Sequence, residues 1–283
     1  MDDRVLARLR CPVCAEPLTE TTAGTARALR CPRGHSFDIA RQGYVNLLAG
    51  RAPHAGDSAE MVAARADFLA AGHYDAVAAA LATTAVRVAD VDPYPLVVDA
   101  GAGTGHYLAA VLAALPDAAG LALDVSKPAL RRAARAHPRA AAALADTWQR
   151  LPLADRSTAV LLNVFAPRNG PEFHRVLDPG GALLVVTPAA DHLTELVDAL
   201  DLLRVDPDKA DRVAGSLGAH FAEESATGHR ARLALTRAEV TTLVGMGPSA
   251  WHADPQRLAA RIAALPDPVP VTLSVRLGVH RPR

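Results

Sequence analysis

The 283-residue sequence predicts an α/β fold in which helices cover both faces of a mostly parallel, seven-stranded sheet, with a small metal-binding domain at the N-terminus. Along most of the chain, short apolar runs alternate with helical stretches, which is the pattern of a parallel sheet. All three cysteines lie within the first 35 residues, and an odd number suits metal binding better than disulfide bonds. Half of the residues are apolar, so a full core can be buried.

The N-terminal cysteines form a metal-ligand pattern. Cys11 and Cys14 are followed, after sixteen intervening residues, by Cys31 and His35, which gives the spacing C-x2-C-x16-C-x3-H. Four soft ligands at this spacing suit tetrahedral zinc. Buried cysteines acting as small hydrophobic residues would not explain two pairs at ligand spacing. Because four protein ligands leave no coordination position open, we expect a structural zinc that supplies folding energy to a domain too short for a large core.

The first part of the chain is set apart by composition and charge. The residues from 48 to 58 are rich in Ala, Gly, Pro, His and Arg, and they predict a linker between a zinc-binding domain of residues 1–55 and a second domain of residues 56–283. Residues 1–56 contain eight arginines and five acids, a net charge of +3, so the rest of the neutral chain carries −3. A basic first domain suits a nucleic-acid partner, and an ordinary solvated surface explains three charges equally well. Charged residues at the start and the lack of a long apolar window lead us to expect a cytoplasmic protein.

The second domain is predicted to begin with helices and to continue with alternating strands and helices. Apolar residues recur at helical spacing over residues 59–91, with Gly72 as the break between two helices. A turn is expected at residues 178–181, and a polar, helical segment over residues 192–225. The other predictions, in chain order, are a strand at 96–99, a helix at 106–115, a strand at 120–124, a helix at 128–136, a short strand near 143, and strands at 159–163, 182–187, 232–235 and 271–278.

A cofactor site is predicted where the first of these strands ends. Asp99 closes the strand, and the glycine loop that follows, Gly101-Ala-Gly103-Thr-Gly105, opens a helix. Glycines let a ligand lie against bare backbone, and a helix N-terminus offers unpaired N–H groups to a carboxylate. Asp124, nineteen residues after Gly105, is placed to accept hydrogen bonds from ribose hydroxyls. The loop is G-x-G-x-G, whereas the dinucleotide fingerprint is G-x-G-x-x-G, so the pattern favours S-adenosylmethionine over a nicotinamide cofactor and predicts a Rossmann-like class I methyltransferase.

Two further positions are candidates at the same edge of the sheet. Asp146 lies where such enzymes contact the adenine ring, and a helix cap or turn acid is an equally good interpretation. Residues 163–168, Asn-Val-Phe-Ala-Pro-Arg, end the next strand where the methyl acceptor should approach. An ordinary strand-end turn is the alternative for this segment.

Taken together, these motifs resemble the RlmA family of 23S rRNA guanine-N1 methyltransferases. The resemblance is closest to its macrolide-resistance branch, the tylosin- and mycinamicin-resistance enzymes, and it covers the whole length of the chain. The matching segments are Cys11-Pro-Val-Cys14, Gly34-His35-Ser-Phe37-Asp38, Gly43-Tyr-Val-Asn-Leu-Leu48, Asp57-Ser-Ala-Glu-Met61, Gly72-His-Tyr74, Leu123-Asp-Val-Ser-Lys127, Asn163-Val-Phe-Ala-Pro-Arg168, Asp191-His-Leu193 and Met246-Gly-Pro-Ser-Ala-Trp251.

The resemblance implies an activity, partners and site residues. It implies methyl transfer from S-adenosylmethionine to N1 of a guanine in a hairpin loop of 23S rRNA, with macrolide resistance as the result, and a homodimer. It assigns zinc to the four cysteine and histidine ligands and RNA recognition to their domain. Cofactor contacts fall on Tyr74, Gly103, Thr104 and His192. Some relatives carry Gly-Cys-Gly-Glu-Gly at the glycine loop, where this chain has Gly-Ala-Gly-Thr-Gly. The difference affects only the implied side-chain contact of Thr104.

The general base and two alternative functions stay open at this point. Asp99, Asp191, His106 and His192 are all candidates for the base, and none stands out. A small-molecule methyltransferase of an antibiotic pathway would leave the cysteine–histidine domain unexplained. A zinc-dependent nucleic-acid-binding protein with a decayed enzyme domain is disfavoured by the intact glycine loop.

Overall fold

The computed structural model describes residues 1–24, 26–50, 56–89, 94–202, 215–247 and 254–283. The predicted linker residues 51–55 and residues 248–251 of the last matching segment lie outside these ranges. In chain order the elements are α1 (Asp3–Arg8), β1 (Thr19–Ala23), β2 (Ala26–Arg30), β3 (Ser36–Asp38), β4 (Tyr44–Asn46), α2 (Ala59–Ala70), α3 (Asp75–Val88), β5 (Leu96–Ala100), α4 (His106–Ala114), β6 (Ala119–Asp124), α5 (Lys127–Ala133), β7 (Ala140–Leu144), β8 (Thr158–Val164), α6 (Gly170–Val176), β9 (Leu177–Pro188), α7 (Thr194–Leu200), β10 (Phe221–Leu235), α8 (Arg237–Gly245), α9 (Pro255–Ala263) and β11 (Val269–Pro282).

The main sheet has the strand order β10-β11-β9-β8-β5-β6-β7-β4. Strands β4 to β9 pair in parallel, and β10 and β11 are antiparallel at one edge. Every residue of β5 and β8 is buried, as expected for parallel strands covered by helices on both faces. The predicted α/β fold with a mostly parallel sheet is confirmed. Its seven strands are joined by an eighth, β4, which comes from the predicted first domain and pairs with β7.

The two faces of the sheet are covered differently. On one face, α2 to α5 and α7 to α9 form a large apolar core with the strands. On the other face, α1, α6 and the N-terminal residues share a second core with the same strands. Val5 and Leu9 are fully buried there beside Leu121 and Leu123, and each such side chain contributes about 1.5–3 kcal/mol on burial. The N-terminal domain therefore forms part of the layer that covers the sheet.

Backbone hydrogen bonds connect the two predicted domains on both sides of the cysteine motif. The Arg10 N–H donates to the Pro152 carbonyl at 3.0 Å, and the Ala154 N–H donates to the Arg8 carbonyl at 2.9 Å. After the motif, the Leu47 N–H donates to the Leu144 carbonyl at 3.0 Å. The boundary near residue 55 stays a prediction, and the structure adds that residues of the first domain belong to the main sheet and its core.

Between these anchored ends lies a ribbon of residues 11–39. Its three strands, β1, β2 and β3, form a separate antiparallel sheet in which β2 is central. In β2 only Leu29 is buried, and β3 has no buried residue. A sheet this small and this exposed cannot be held by apolar burial alone, so another source of stability is needed.

Most of the predicted elements occur at the expected places, and the differences have a physical reason. The helices α2 and α3 are separated at Gly72 as predicted. Residues 178–181 bulge out of β9, because Leu177 pairs with Thr158 and Ala182 pairs with Val160.

The helical prediction over residues 192–225 is wrong for its last part. Residues 194–200 form α7, while residues 203–214 lie outside the described ranges. From Phe221 onward the chain is in β10, which pairs along its length with β11. Because β10 is the solvated edge strand, most of its side chains are exposed, and its polar sequence shows no alternating strand pattern. Within the described residues, no helix combines the length and apolarity needed to cross a membrane.

Candidate active site and metal centre

The four predicted zinc ligands come together at the base of the ribbon. Their ligand atoms all lie within 4.8 Å of one another. The Cys14 and Cys31 sulfurs are 3.6 Å apart, and His35 Nδ1 lies 3.3 Å from the Cys31 sulfur and 3.6 Å from the Cys11 sulfur. Zinc–sulfur bonds of about 2.3 Å in a tetrahedron separate two sulfurs by roughly 3.7 Å. The donor set and its spacing therefore fit one zinc ion with no position left for substrate.

Two tight turns aim these ligands. The Ala15 N–H donates to the Cys11 carbonyl at 2.8 Å, which closes the turn that carries the first cysteine pair. The Gly34 N–H donates to the Cys31 carbonyl at 2.9 Å, and the Cys31 N–H donates to the His35 carbonyl at 3.1 Å. Both ligand pairs are thus held by backbone turns at the open end of the β1–β2 hairpin, where Thr19 pairs with Arg30.

The glycine loop lies at the carboxyl end of β5, against the end of β6. The N–H groups of Gly101 and Ala102 both donate to the Leu123 carbonyl, at 2.9 and 3.0 Å. The Asp124 carboxylate accepts one hydrogen bond from the Gly103 N–H and one from the Ser126 N–H, both at 2.8 Å. Burial raises the pKa of Asp124, and these two hydrogen bonds oppose the rise. Asp124 therefore joins the loop to the start of α5 at the place predicted for ribose.

Two cavities open at this edge of the sheet and share part of their walls. The first, of about 280 Å³, is lined by Tyr74, Gly103, Thr104, His106 and His192, among others. The second, of about 360 Å³, is lined by Asp124, Asp146 and Trp148, among others. Arg65, Gly101, Phe165 and Met246 line both. Small-molecule sites commonly enclose about 300–1,000 Å³, so the two cavities together have the size of a cofactor site.

The residues in these cavities fit the two ends of S-adenosylmethionine. In the second cavity, Asp146 Oδ1 accepts the Trp148 N–H at 2.9 Å, while its buried Oδ2 has no partner in the described part of the chain. A carboxylate oxygen of this kind suits the amino group of adenine, so Asp146 serves both as a turn acid and as a candidate adenine contact. In the first cavity, the glycine loop and the N-terminus of α4 offer backbone N–H groups to the methionine carboxylate.

Asp99 lies near the end of β5, next to the glycine loop in the chain. It is 1% exposed, and neither of its oxygens has a hydrogen-bond partner within the described ranges. Burial, assisted by the charge of Asp124, raises its pKa to about 8, so the carboxyl group is protonated at neutral pH. Asp99 is not among the described residues that line either cavity, and it lies beneath the loop as an uncharged buried acid. A direct cofactor contact by Asp99 thus stays a prediction without support from this geometry.

Tyr74 and His192, which only the resemblance indicated, face each other in the first cavity. The Ser274 N–H donates to His192 Nδ1 at 3.2 Å, which leaves the ring proton of the neutral imidazole on Nε2. That nitrogen lies 3.4 Å from the Tyr74 hydroxyl oxygen, so His192 donates and Tyr74 accepts. Burial raises the pKa of Tyr74, and its neutral hydroxyl is left free to donate to a ligand. The pair is therefore a hydrogen-bond donor built into the methionine end of the site.

These contacts separate the four candidates for the general base. His192 has its Nδ1 occupied by a backbone N–H and its Nε2 protonated, so it has no open acceptor. Asp191 is ion-paired to Arg230 at 2.9 Å, and hydrogen bonding to Ser274 holds its pKa below the usual range. His106 lines the first cavity, its Nε2 has no hydrogen-bond partner among the described residues, and burial lowers its pKa. Of the four, His106 is the one that lines the first cavity and has an unpartnered ring nitrogen, although this Nε2 is itself buried and lies 4.0 Å from an Asp75 carboxylate oxygen.

Arg65 is a site residue that the sequence did not indicate. Its guanidinium forms an ion pair with Asp57 at 2.8 Å and donates to the Met246 carbonyl at 2.9 Å. A Cβ added to Gly103 would lie 3.3 Å from Arg65 Nη1, so the guanidinium lies directly over the glycine loop. From the sequence, Arg65 is a charged residue in an amphipathic helix, and such residues ordinarily face solvent. The sequence therefore gives no sign that Arg65 lies at the site.

The fold and the site define a class I methyltransferase that carries an N-terminal zinc ribbon. Residues 9–52 match a family model described as the RlmA N-terminal zinc ribbon, and residues 97–181 match a methyltransferase domain. The chain is 68% identical to a protein of Micromonospora griseorubida described as a 23S rRNA (guanine-N(1)-)-methyltransferase, and the match covers 100% of both chains. It is 54% identical to the 23S rRNA (guanine(748)-N(1))-methyltransferase of Streptomyces fradiae, over 100% of this chain and 99% of the relative.

A more distant relative gives the same assignment. The YxjB protein of Bacillus subtilis, also described as a 23S rRNA (guanine-N(1)-)-methyltransferase, is 30% identical over 88% of this chain and 89% of its own length. The chain belongs to the RlmA family of 23S rRNA (guanine-N1)-methyltransferases.

Proposed function

We propose that this chain transfers the methyl group of S-adenosylmethionine to N1 of a guanine in a hairpin loop of 23S rRNA. The observation that carries the proposal is the 68% identity to a methyltransferase of this kind over the full length of both chains, ribbon and cofactor site included. The name of the Streptomyces fradiae relative gives guanine 748, and the corresponding guanine is the target to test first.

The proposed reaction makes two demands on the protein. S-adenosylmethionine supplies an electrophilic methyl group: the N1–carbon bond forms, the carbon–sulfur bond breaks with its electron pair on sulfur, and N1 loses its proton. Because N1 lies on the Watson–Crick edge, the guanine must be unpaired or turned out of its stack, which a hairpin loop allows. The protein must hold this base against the methyl group, and positioning supplies most of the catalysis.

The cavities supply the cofactor-binding part of this arrangement. Asp124 and Asp146, which line the second cavity, would hold the ribose and adenine of the cofactor. The glycine-loop N–H groups and the Tyr74 hydroxyl, which line the first, would hold its methionine end. His106 is the candidate to receive the N1 proton, since its imidazole lines the first cavity and burial lowers its pKa, which favours the neutral ring.

The ribbon is the proposed grip on RNA, and ion pairs decide which arginines of residues 1–56 are available to phosphate groups. Three of these arginines are paired: Arg27 with Glu20, Arg33 with Glu16, and Arg4, in the helix before the ribbon, with Asp2. Arg30 and Arg41 are exposed and have no ion pair within the described residues. These two arginines are the first candidates for contacts with phosphate groups.

A second cationic surface continues from the ribbon side onto α5. Lys127, Arg131 and Arg135 are exposed, recur at intervals of four residues, and have no ion pair in the part of the chain that is described. No acid occurs between Asp124 and Asp146, so this stripe is not neutralised along the chain. A Cβ added to Gly43, next to β4, would lie 3.4 Å from Ala134, so the stripe and the N-terminal residues adjoin. Together they form a surface of the sign that an RNA hairpin requires.

The biological role that we propose is resistance to macrolides of the tylosin and mycinamicin type. Both highly identical relatives come from macrolide producers. The protein would act in the cytoplasm, where ribosomes are, and the homodimer that the resemblance implies can be tested by light scattering. Expression in a sensitive host should raise the inhibitory concentration of tylosin or mycinamicin, and an unchanged value would reject the resistance role.

One experiment tests the reaction itself. The protein is incubated with labelled S-adenosylmethionine and large-subunit rRNA, and the product is mapped by reverse transcription, since a methyl group on N1 blocks base pairing. The expected result is label in RNA with a stop at one hairpin guanine. Label in a macrolide precursor without a stop would favour a small-molecule methyltransferase, and RNA binding without any transfer would favour a decayed enzyme.

A further inference from the structure

A nucleobase-binding subsite lies where the two cavities meet, and we propose that the target base stacks on the ring of Phe165 there. The proposal rests on the proposed function and adds the residue that receives the base. Phe165 follows the last residue of β8 and lines both cavities. Phe165 is 41% exposed as a residue, whereas the neighbouring Tyr74 is 3% exposed, so folding leaves part of this large apolar residue uncovered.

The backbone at Phe165 is held in a conformation that phenylalanine rarely adopts. Its φ is +53°, in the left-handed region that favours glycine. The Phe165 N–H donates to the Val186 carbonyl at 3.1 Å, which fixes the residue to the end of β9. Non-glycine residues in such conformations persist where the surroundings enforce them and are concentrated at functional sites.

Asn163 enforces this turn from below. It is fully buried, and its side-chain amide donates to the Ala100 carbonyl at 3.2 Å and to the Pro167 carbonyl at 2.8 Å. The first bond joins the turn to β5 and the second closes the turn on itself. The neighbouring Ala166 is so close to Gly101 that an added Cβ at Gly101 would overlap it. The ring of Phe165 is therefore held out from a rigid turn that contacts the glycine loop.

The position of the ring relative to its neighbours matches the task of receiving a base. Its centroid lies 6.2 Å from that of His192, with 25° between the planes, and 6.2 Å from that of Tyr74. The sulfur of the cofactor joins the adenosine and methionine parts that the two cavities would hold, so the junction is where the methyl group is transferred. An exposed aromatic ring at this junction offers a stacking surface for an unpaired base.

Stacking positions the base and does not select it. Every nucleobase has a π-face, so the preference for guanine must come from hydrogen bonds made elsewhere. Stacking on an aromatic side chain contributes about 1–3 kcal/mol per base, and the middle of that range, about 1.4–2.7 kcal/mol, corresponds to a tenfold to hundredfold effect. Loss of the ring should therefore reduce kcat/KM for RNA by that factor and leave the affinity for S-adenosylmethionine nearly unchanged.

The variants Phe165→Gly, Phe165→Leu and Phe165→Trp separate the ring from the backbone. Glycine accepts the left-handed conformation and removes the ring, leucine keeps an apolar side chain without a π-face, and tryptophan restores the stacking surface. Methylation of an RNA hairpin should fall tenfold to hundredfold for Phe165→Gly and Phe165→Leu and recover for Phe165→Trp. Tyr94→Leu, which removes a 58% exposed aromatic ring outside both cavities, is the matched control.

Two further measurements distinguish the possible failures. Equilibrium dialysis with labelled S-adenosylmethionine should give the same affinity for all variants, and a loss that parallels the loss of methylation would instead assign Phe165 to the cofactor. An RNA hairpin with 2-aminopurine at the target position should be quenched by the wild type and fluoresce brightly with Phe165→Gly. Unchanged methylation in both ring-less variants would overturn the subsite while leaving the proposed function intact. Absence of RNA methylation by the wild type would overturn both.

Discussion

The ribbon (residues 11–39) and the cofactor edge, meaning the glycine loop with the carboxyl ends of β5, β6 and β8, are stabilised in opposite ways. In the ribbon, strands β2 and β3 are mostly exposed, and four ligand atoms converge within 4.8 Å. At the cofactor edge, β5 and β8 are buried throughout, and both carboxyl oxygens of Asp99 and Oδ2 of Asp146 have no hydrogen-bond partner among the described residues.

The difference shows how each region depends on its ligand. The ribbon needs zinc in order to fold, because its apolar surface is too small. The cofactor edge folds by burial, and the unpaired Oδ2 of Asp146 is stabilised further when a ligand donates a hydrogen bond to it. Metal removal should therefore destroy structure in the ribbon, whereas changes at the cofactor edge should alter affinity or pH dependence within an intact fold.

Loss of zinc is the largest expected effect. Cys31→Ser, or treatment with a strong chelator, should unfold the ribbon and reduce RNA affinity at least a hundredfold, since structural zinc sites contribute about 10–16 kcal/mol of apparent binding energy. Affinity for S-adenosylmethionine should change less than about threefold, because Val5 and Leu9 anchor the residues before the ribbon by burial.

RNA binding by filter retention and cofactor binding by calorimetry measure the two effects of zinc loss. Ser36→Ala, an exposed change beside a ligand, is the control and should leave both values unaltered. Equal losses of RNA and cofactor affinity in Cys31→Ser would show that the two regions fold as one unit. The ribbon and the cofactor edge would then not be stabilised in separate ways.

The buried carboxyl group of Asp99 should give the second largest effect. Its folded pKa is about 8 against an ordinary value of 3.8, so between these pH values the folded state keeps a proton that the unfolded state has lost. The contribution of this group to the free energy of unfolding is fully present below about pH 4 and is lost as the pH rises to about 8. The total is on the order of 5 kcal/mol, since one pKa unit corresponds to about 1.4 kcal/mol.

Asp99→Asn should therefore become more stable relative to the wild type as the pH rises from 5 to 9. Urea unfolding of both proteins across this range measures the difference. In Asp191→Asn the wild-type pH dependence should persist between pH 5 and 9, because the pKa of Asp191 is lowered and its titration lies below this window. A constant difference between Asp99→Asn and the wild type would mean that Asp99 is ionised in the folded protein.

The same comparison explains which features the sequence predicts. The zinc ligands and the glycine loop are local patterns, because each knuckle and the G-x-G-x-G turn is formed by residues close together in the chain. Pairing of β4 with β7 is not local: residues 44–46 pair with residues 142–144, and three residues carry no signal for a partner so far away. The sequence pattern therefore predicts seven strands for a main sheet that has eight.

The features of the site that the sequence does not predict also depend on contacts between residues far apart in the chain. Arg65 acts through its position over Gly103, which depends on how α2 packs above the sheet. Phe165 was part of a predicted acceptor segment, yet its left-handed backbone and exposed position depend on the hydrogen bonds that Asn163 donates to Ala100 of β5 and to Pro167. Tertiary contacts decide such features, and a single sequence shows only the residue types.

Two glycines with the same backbone conformation test the comparison at smaller scale. Gly34 in the ribbon has φ +86° with nothing within 4 Å of an added Cβ, and Gly101 has φ +87° with Ala166 in the way. Gly34→Ala should lose about 1 kcal/mol from backbone strain alone. Gly101→Ala should lose a further 1–3 kcal/mol, roughly, from overlap in a packed region, and weaken cofactor binding as well. Thermal unfolding of both zinc-loaded variants measures the difference in lost stability. Equal losses in Gly34→Ala and Gly101→Ala would show that the residues around Gly101 move to accept the added methyl group.

The smallest expected effect on stability concerns Arg65, because the fold does not depend on it. Its guanidinium lies over the glycine loop, on the side where the methionine carboxylate would meet the N-terminus of α4. Arg65→Gln removes the charge and keeps most of the side chain, so affinity for S-adenosylmethionine should fall about tenfold, equivalent to about 1.4 kcal/mol, with an unchanged melting temperature in the absence of cofactor. Arg87→Gln, an exposed change on the adjacent helix α3, is the matched control.

Asp57 shows whether Arg65 acts through charge or through its contacts within the protein. The Arg65–Asp57 ion pair is partly exposed, so it stabilises the fold little, but it competes with the cofactor for the guanidinium. The Asp57→Asn variant should therefore bind the cofactor as tightly as the wild type or more tightly. Any gain should disappear when Arg65 is also replaced. If Asp57→Asn and Arg65→Gln weaken binding equally, the pair instead holds α2 over the loop, and the cofactor edge depends on surface contacts as well as on burial.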